Sequence, residues 1–195
     1  MGRPATFEVS ATSAAPPSVV FGLVADGATW PEWSPIGSFE LESEGGEGGE
    51  SIGAVRVFKT GRVVNREEIV EIRPPEVFGY RVLSGLPIEN HRADVILTEM
   101  EGGTSIVWRE SFEPSRMGSG WLTSKLLRSF VAKCAEGLAR AAAEAHAANE
   151  AADPAEQADQ ADPADQADPA EQTGVPVSGE GEGEGEAPGP PGTRT

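Results

Sequence analysis

The sequence predicts an α+β fold in which a curved antiparallel sheet of seven strands wraps around one long C-terminal helix. Three observations support this. One strand-like segment followed by short helical segments comes first, six strand-like segments separated by turn residues follow, and one long amphipathic helical pattern comes last. Because a sheet and a helix each bury an apolar face, we expect the helix to lie across the concave side of the sheet.

The N-terminal segment predicts a strand, two short helices and a packed corner. Residues 7–12 alternate apolar and polar side chains, which is the period of a half-buried strand. Prolines and Ser18 then precede an apolar segment that is typical of a short helix ending near Gly27. The motif Trp30-Pro31-Glu32-Trp33-Ser34-Pro35 follows. Bulky indoles among prolines favour a rigid corner that stabilises the fold. This interpretation is preferred to a ligand clamp.

Six further strand-like segments are separated by stretches rich in glycine and proline. Most of these stretches are short enough for hairpins, so consecutive strands are expected to pair as an antiparallel meander. The predicted strands are residues 38–42, 54–59, 63–72, 77–84, 91–101 and 104–113.

From Gly120 the apolar residues follow the period of a helix. The basic residues Lys125 and Arg128 fall on the opposite side from the apolar positions. We expect the helix to continue to about residue 148 and Pro154 to end it. The positions on the apolar side are Leu122, Leu126, Leu127, Phe130, Val131, Cys134 and Leu138.

Composition divides the chain into a domain at residues 1–148 and a tail at residues 149–195. From residue 151 onward there is no Leu, Ile, Met, Phe, Tyr or Trp, and the sequence repeats Ala, Asp, Pro and Gln before a Gly-Glu alternation. Without large apolar side chains a segment cannot offset the entropy of ordering. We expect an acidic, disordered, low-complexity tail that is passive or solubilising, with docking of a partner as the alternative.

Charge and residue usage exclude several classes of function. The net charge is −17, and residues 1–150 also lack a basic excess, so nucleic acid and anionic membrane surfaces are not expected as general partners. Cys134 is the single cysteine and there are two histidines, so no metal cluster, disulfide or cofactor is expected. Without a signal-peptide pattern or a membrane span, we expect a cytoplasmic monomer or weak dimer.

The order of elements resembles the helix-grip fold of the START-like SRPBCC superfamily, which includes polyketide cyclases/dehydrases and lipid-transport proteins. The resemblance covers about residues 5–145. It implies a cavity for a hydrophobic ligand such as a lipid, sterol or polyketide. The residues that support it are Ala14-Ala15-Pro16-Pro17-Ser18-Val19-Val20-Phe21, Asp26 with the tryptophan motif, and Pro74-Pro75 before Tyr80-Arg81.

Candidate ligand-binding residues follow from strand phase and from the helix. On the last strand Trp108, Glu110 and Phe112 share the more apolar face, where burial would raise the pKa of a carboxyl group. An alternative is that Glu110 lies at a wet cavity mouth or pairs with an arginine. Tyr80 and His91 lie in phase with apolar neighbours, although a histidine near a loop can serve a structural hydrogen bond instead. The helix adds Leu122, Leu126 and Phe130.

Three hypotheses of function follow. The first is a carrier or sensor that binds a hydrophobic or aromatic small molecule between the sheet and the C-terminal helix. The second is an enzyme of the polyketide aromatase/cyclase kind, in which Tyr80, His91 or Glu110 moves a proton. The third is a protein-interaction module similar to co-chaperones of the same fold. The sequence assigns no residue a definite catalytic role.

Overall fold

The computed structural model describes residues 4–115 and 120–159, which belong to one compact unit. Seven strands form one sheet, and three helices and a 3₁₀ turn accompany it in these residues. The elements in chain order are β1 (Ala5–Ser13), α1 (Pro17–Ala25), the 3₁₀ turn (Gly27–Thr29), α2 (Trp30–Trp33), β2 (Ser38–Ser43), β3 (Val55–Thr60), β4 (Val63–Arg73), β5 (Val77–Ser84), β6 (Ile88–Met100), β7 (Gly103–Pro114) and α3 (Gly120–Asp159).

The sheet is an antiparallel meander whose first strand joins its far edge. The strand order is β1-β7-β6-β5-β4-β3-β2, and every neighbouring pair is antiparallel. The segment that contains α1 and α2 therefore carries the chain from one edge strand to the other. The predicted meander of six consecutive strands is confirmed.

Helix α3 packs against β1, β7, α1 and α2. Its residues Leu138 and Ala142 have no exposed surface, and Ser13 Oγ at the end of β1 donates a hydrogen bond to the Ala139 carbonyl at 2.8 Å. The helix thus closes the sheet around a common hydrophobic core. This arrangement confirms the predicted α+β helix-grip fold.

The strand boundaries lie within three residues of the predicted ones, but the prediction for the end of the long helix is wrong. Helix α3 passes Pro154 and ends at Asp159. A proline removes one backbone donor and crowds the preceding turn, which can bend a helix without ending it. The predicted tail lies, from residue 160 onward, outside the described residues.

The tryptophan motif forms the packed corner that the sequence predicts. Trp30 and Trp33 are 2% and 4% exposed. The Trp30 indole N–H donates to the Val24 carbonyl, and that of Trp33 donates to Thr29 Oγ1, each at 3.0 Å. These bonds satisfy the polar atom of each buried ring. Trp30 thereby fixes α2 against α1, and Trp33 fixes it against the 3₁₀ turn.

The first two turns of α3 depart from the prediction. Leu122 and Leu126 were expected on the buried side of the helix, but they are 46% and 64% exposed. The described core contacts of α3 begin only at Leu127 and Phe130. Helical periodicity identifies an apolar side but not whether another element covers it, and here the first turns have no such cover among the described residues.

Within the described residues, no helix combines the length and apolar character that crossing a bilayer requires.

Candidate functional site

A cavity of about 360 Å³ lies between the concave face of the sheet and α3. Its walls come from α2, from β3 to β7, from the loop between β5 and β6, and from α3. Most of the side chains around it are apolar, with a small group of polar side chains among them. This combination of shape and chemistry is typical of small-molecule sites.

Aromatic rings form the inner wall of the cavity. Trp30 stands edge-to-face against both Tyr80 and Trp108, with ring centroids 6.2 and 5.7 Å apart, and stacks on Phe58 at 5.0 Å. Trp108 Nε1 donates a hydrogen bond to the Tyr80 hydroxyl oxygen at 3.1 Å. Because that oxygen acts as acceptor, the hydroxyl proton of Tyr80 remains free to donate to a ligand.

Helix α3 supplies the opposite wall. Leu127, Phe130, Val131 and Cys134 lie on one helical face and line the cavity. Burial raises the pKa of the Cys134 thiol well above its usual range, so this side chain is an unreactive apolar neighbour. Towards solvent the lining passes to the half-buried and exposed residues Val63, Leu86, Pro87, Ile88 and Leu126, which form the cavity mouth.

A bulge in β6 turns Ile88 into the cavity beside His91. The register against β7 shifts by one residue between Glu89 and Arg92, and Asn90 adopts a positive φ of 49°. Asparagine tolerates this conformation better than most residues, and a bulge changes which side chains face inward. As a result both Ile88 and His91 line the cavity, although strict alternation would place them on opposite faces.

His91 and Glu110 form a buried hydrogen-bonded pair. Nδ1 of His91 accepts the Val82 N–H at 3.0 Å, so its other ring nitrogen carries the proton. That nitrogen, Nε2, donates to Glu110 Oε2 at 2.6 Å. Burial raises the pKa of Glu110, and the hydrogen bond from His91 opposes this effect. The partner of Glu110 is therefore a neutral imidazole and not the arginine that sequence reasoning considered.

Glu67 is a second buried carboxyl group at the cavity. It lies on β4 and accepts a hydrogen bond from Asn65 Nδ2, and both residues line the cavity. Burial raises the pKa of Glu67 to about 7, against the opposing attraction of the Arg56 guanidinium. A carboxyl group with this pKa can hold or release a proton near neutrality.

Arg56 lies inside the protein behind this polar group. Its guanidinium is fully buried and stands 4.8 to 5.9 Å from the ring centroids of four aromatic residues. Its acidic neighbours are Glu50 at 3.4 Å and Glu67 at 3.9 Å. The aromatic faces and the carboxylates together compensate for the burial of this charge. The rings are those of Trp30, Phe58, Phe78 and Tyr80.

The structure brings most of the predicted site residues together. Tyr80, His91, Trp108 and Glu110 meet at the inner, polar part of the cavity, and Leu126 and Phe130 line it from α3. Phe112 and Leu122 are not among the lining residues. Phe112 packs edge-to-face on Phe7, and Leu122 is half exposed on α3. A role of these residues in ligand binding stays a prediction.

Sequence reasoning missed Trp30, Asn65 and Glu67 as cavity residues. Trp30 was assigned to the corner alone, yet its side chain also lines the cavity. On β4 the inward positions include the polar residues Asn65 and Glu67 as well as the apolar Ile69. The alternation of residue types therefore did not show which side of this strand faces inward. Arg56 shares the inward side of β3 with Phe58 and with Ala54 just before that strand. Because a buried arginine needs an acidic partner, Arg56 was the signal in the sequence that could have indicated Glu67.

A curved antiparallel sheet closed by a long helix around an apolar cavity defines the helix-grip class of proteins. Residues 4–146 match the family described as polyketide cyclase / dehydrase and lipid transport. The chain belongs to this family. Among curated proteins, no significant match exists.

Solved structures with low sequence identity share the fold. The protein XoxI from Bacillus cereus has a TM-score of 0.57 at 19% identity, with 70% of this chain and 94% of that chain covered. Ara h 8.0201 has a TM-score of 0.59 at 18% identity, covering 72% and 98%. A protein from Nitrosospira multiformis has a TM-score of 0.54 at 20% identity, covering 67% and 94%. These likenesses support the fold alone.

Proposed function

We propose that this protein binds a hydrophobic or aromatic small molecule in the cavity between the sheet and α3, as a carrier or sensor. The observation that supports this most directly is the cavity of about 360 Å³ with an aromatic inner wall. Its volume lies near the lower end of the range for small-molecule sites, roughly 300 to 1,000 Å³. A compact ligand with one or two rings, or a single short acyl chain, suits this space.

The distribution of polar groups gives the ligand an orientation. Apolar residues surround the mouth and the α3 wall, whereas Tyr80, His91, Glu67 and Glu110 lie at the inner part. Buried polar groups favour a ligand that pairs with them, because an unpaired partner costs about 1 to 3 kcal/mol. We therefore expect the ligand to enter with its polar group towards the inner part and its apolar body towards the mouth.

The test is a fluorescence titration with N-phenyl-1-naphthylamine, an uncharged aromatic probe. The substitution Leu127→Trp places a large ring in the cavity, and Ser129→Trp places the same ring on the exposed side of α3. Wild type and Ser129→Trp should bind alike, whereas Leu127→Trp should raise Kd at least about tenfold, or ~1.4 kcal/mol. Absence of binding by the wild type, or equal affinity of both variants, would exclude this site.

A second candidate function, proton transfer in a polyketide cyclase-type reaction, is favoured by one specific observation. Glu67, with a pKa of about 7, lies at the same cavity as the His91–Glu110 pair. A group with this pKa can serve as a general base near neutral pH. The chemistry that this candidate requires is removal of a proton from the carbon next to a ligand carbonyl.

The enzyme candidate can be tested with 1-tetralone in deuterium oxide, where NMR follows exchange of the protons next to the carbonyl. Catalysis by Glu67 requires faster exchange with the wild type and a large loss in Glu67→Gln. If exchange equals the protein-free rate while the ketone is bound, the protein is a binder and not a catalyst of this step.

A further inference from the structure

The start of α3 exposes an unusual amount of apolar surface. Trp121, Leu122 and Leu126 are 71%, 46% and 64% exposed. Tryptophan carries more apolar area than other side chains, and contiguous exposed apolar residues are typical of interaction sites. In the described part of the chain, no other element has three large apolar side chains so exposed within one and a half helical turns.

This surface is continuous with the cavity mouth. Leu126 lines the cavity as well as facing solvent, and Val63, 44% exposed, lines it from the start of β4. The backbone N–H of Ser115 donates to the Pro87 carbonyl at 3.1 Å, which holds the end of β7 beside the loop between β5 and β6. The exposed apolar residues of α3 therefore belong to the rim of the opening and not to a separate surface.

Two segments that contribute residues to the cavity lining carry basic residues and no acidic ones, in a chain whose net charge is −17. Residues 59–66, which run from the end of β3 through the turn into β4, contain no acidic residue, and neither do residues 120–135 of α3. In the described structure, Arg66 is the only one of their basic residues that has an acidic side chain within 4 Å. The basic residues are Lys59, Arg62, Arg66, Lys125, Arg128 and Lys133.

On α3 the apolar and basic residues share the outward face. Trp121, Lys125 and Arg128 follow the spacing i, i+4 and i+7, which places them in one row along the helix. Leu122 and Leu126 form a neighbouring row at i and i+4. A helical face that combines Trp, Leu and basic residues is typical of helices that lie in the headgroup region of anionic membranes.

We propose that the cavity mouth docks on the surface of an anionic lipid bilayer. Trp121, Leu122 and Leu126 enter the boundary between headgroups and acyl chains, and the basic residues of α3 and of the β3–β4 turn contact lipid phosphates. This orientation opens the cavity towards the bilayer, so that an apolar molecule can pass between them without crossing water. Docking itself does not depend on which ligand the cavity holds.

The test is flotation of the full chain with two kinds of lipid vesicles. One kind is pure phosphatidylcholine and the other contains about 30 mol % phosphatidylserine. We expect binding at least about tenfold stronger to the anionic vesicles, and loss of most of it at about 0.5 M salt because the charges are exposed. Tryptophan emission should shift to shorter wavelength on binding, since Trp121 is the exposed indole among the described residues.

Two variants and a matched control separate the contributions. Trp121→Ser with Leu126→Ser should weaken binding to anionic vesicles at least about tenfold and abolish the emission shift. Lys125→Ser with Arg128→Ser should remove most of the preference for anionic lipid. Met100→Ser removes a 46% exposed apolar side chain at the other end of β6 and should change nothing. All these side chains are exposed, so unchanged melting temperatures are expected and confirm that the variants fold.

Three results would overturn the proposal. The first is failure of the wild type to float with anionic vesicles at low salt. The second is binding that survives Trp121→Ser with Leu126→Ser or is lost equally in Met100→Ser. The third is a dimer in analytical ultracentrifugation that dissociates in the Trp121→Ser, Leu126→Ser variant, because the apolar rim would then bind a second copy of the chain.

Discussion

Glu67 is the residue whose titration should be visible in the stability of the whole protein. Its pKa in the folded state, about 7, lies above the ordinary value of 4.5. The folded state therefore binds this proton more tightly than the unfolded state does. The resulting stabilisation is complete below about pH 4.5 and is lost as the pH rises through 7.

Comparison with Glu67→Gln isolates this effect from the other carboxyl groups. Between about pH 4.5 and 8 the wild type should lose about 3 kcal/mol of unfolding free energy relative to the variant, from ~1.4 kcal/mol per pKa unit. Urea denaturation of both proteins across this range measures the difference. Parallel pH profiles of the two proteins would show that Glu67 is not desolvated as the structure indicates.

His91 satisfies two groups at once, the half-buried Val82 N–H and the buried Glu110 Oε2. The substitution His91→Phe leaves both without a partner and should destabilise the protein by about 2 kcal/mol or more. Adding Glu110→Leu removes the stranded carboxyl group and should restore part of the loss. Denaturation of the two single variants and the double variant gives the coupling energy. A coupling near zero would mean that the hydrogen bond contributes nothing to stability.

At the scale of elements, the contact between α2 and α3 depends on a glycine. A Cβ added to Gly137 would lie 1.7 Å from the Trp33 carbonyl oxygen, which is backbone and cannot rotate away. Although alanine favours helix, Gly137→Ala should destabilise the protein by roughly 1 to 3 kcal/mol because α3 must move away from the corner.

Gly22 in the middle of α1 is the matched control, since a Cβ there meets nothing within 4 Å. Gly22→Ala should stabilise the protein by about 0.5 to 1 kcal/mol through helix propensity alone. Thermal unfolding of the two variants should therefore shift in opposite directions. If both variants are stabilised, Gly137 of α3 does not contact the Trp33 carbonyl oxygen of α2 as closely as described.

Elements also explain how far the site could be predicted. Strand phase placed Trp108, Glu110, Tyr80 and His91 on inward faces correctly, because side-chain direction in a strand alternates regularly. Strand alternation did not identify Glu67 as a cavity residue, since β4 has polar residues on its inward side. It also could not anticipate that the bulge at Asn90 turns Ile88 inward together with His91, because a single added residue reverses the alternation.

For the whole molecule, the boundary between domain and tail stays a prediction that truncation can test. Residues 160–195 lack Leu, Ile, Met, Phe, Tyr and Trp, so they have little apolar surface to add to the core. A chain that ends after Asp159 should keep its melting temperature within about 2 °C, which corresponds to less than ~1 kcal/mol in a protein of this size. Calorimetry would reveal a larger shift if the tail contributes to the folded state.

The distribution of charge over the whole molecule leads to a different expectation from the net charge. The composition predicts no affinity for anionic surfaces, because acidic residues outnumber basic ones in both parts of the chain. The fold nevertheless brings two segments without acidic residues, residues 59–66 and 120–135, to one cavity. A membrane would be attracted by this local excess within about one Debye length, ~10 Å, and not by the net charge.

The sequence by itself determined the order and type of the elements, the meander, the packed corner and the inward faces of β6 and β7. These features follow from local periodicity, turn residues and capping, which act over a few neighbours. Only the tertiary structure decided the volume of the cavity, the pairing of His91 with Glu110, the burial of Glu67 beside Arg56, and the exposure of the first turns of α3. These depend on the distance between sheet and helix, which is set by residues far apart in the chain.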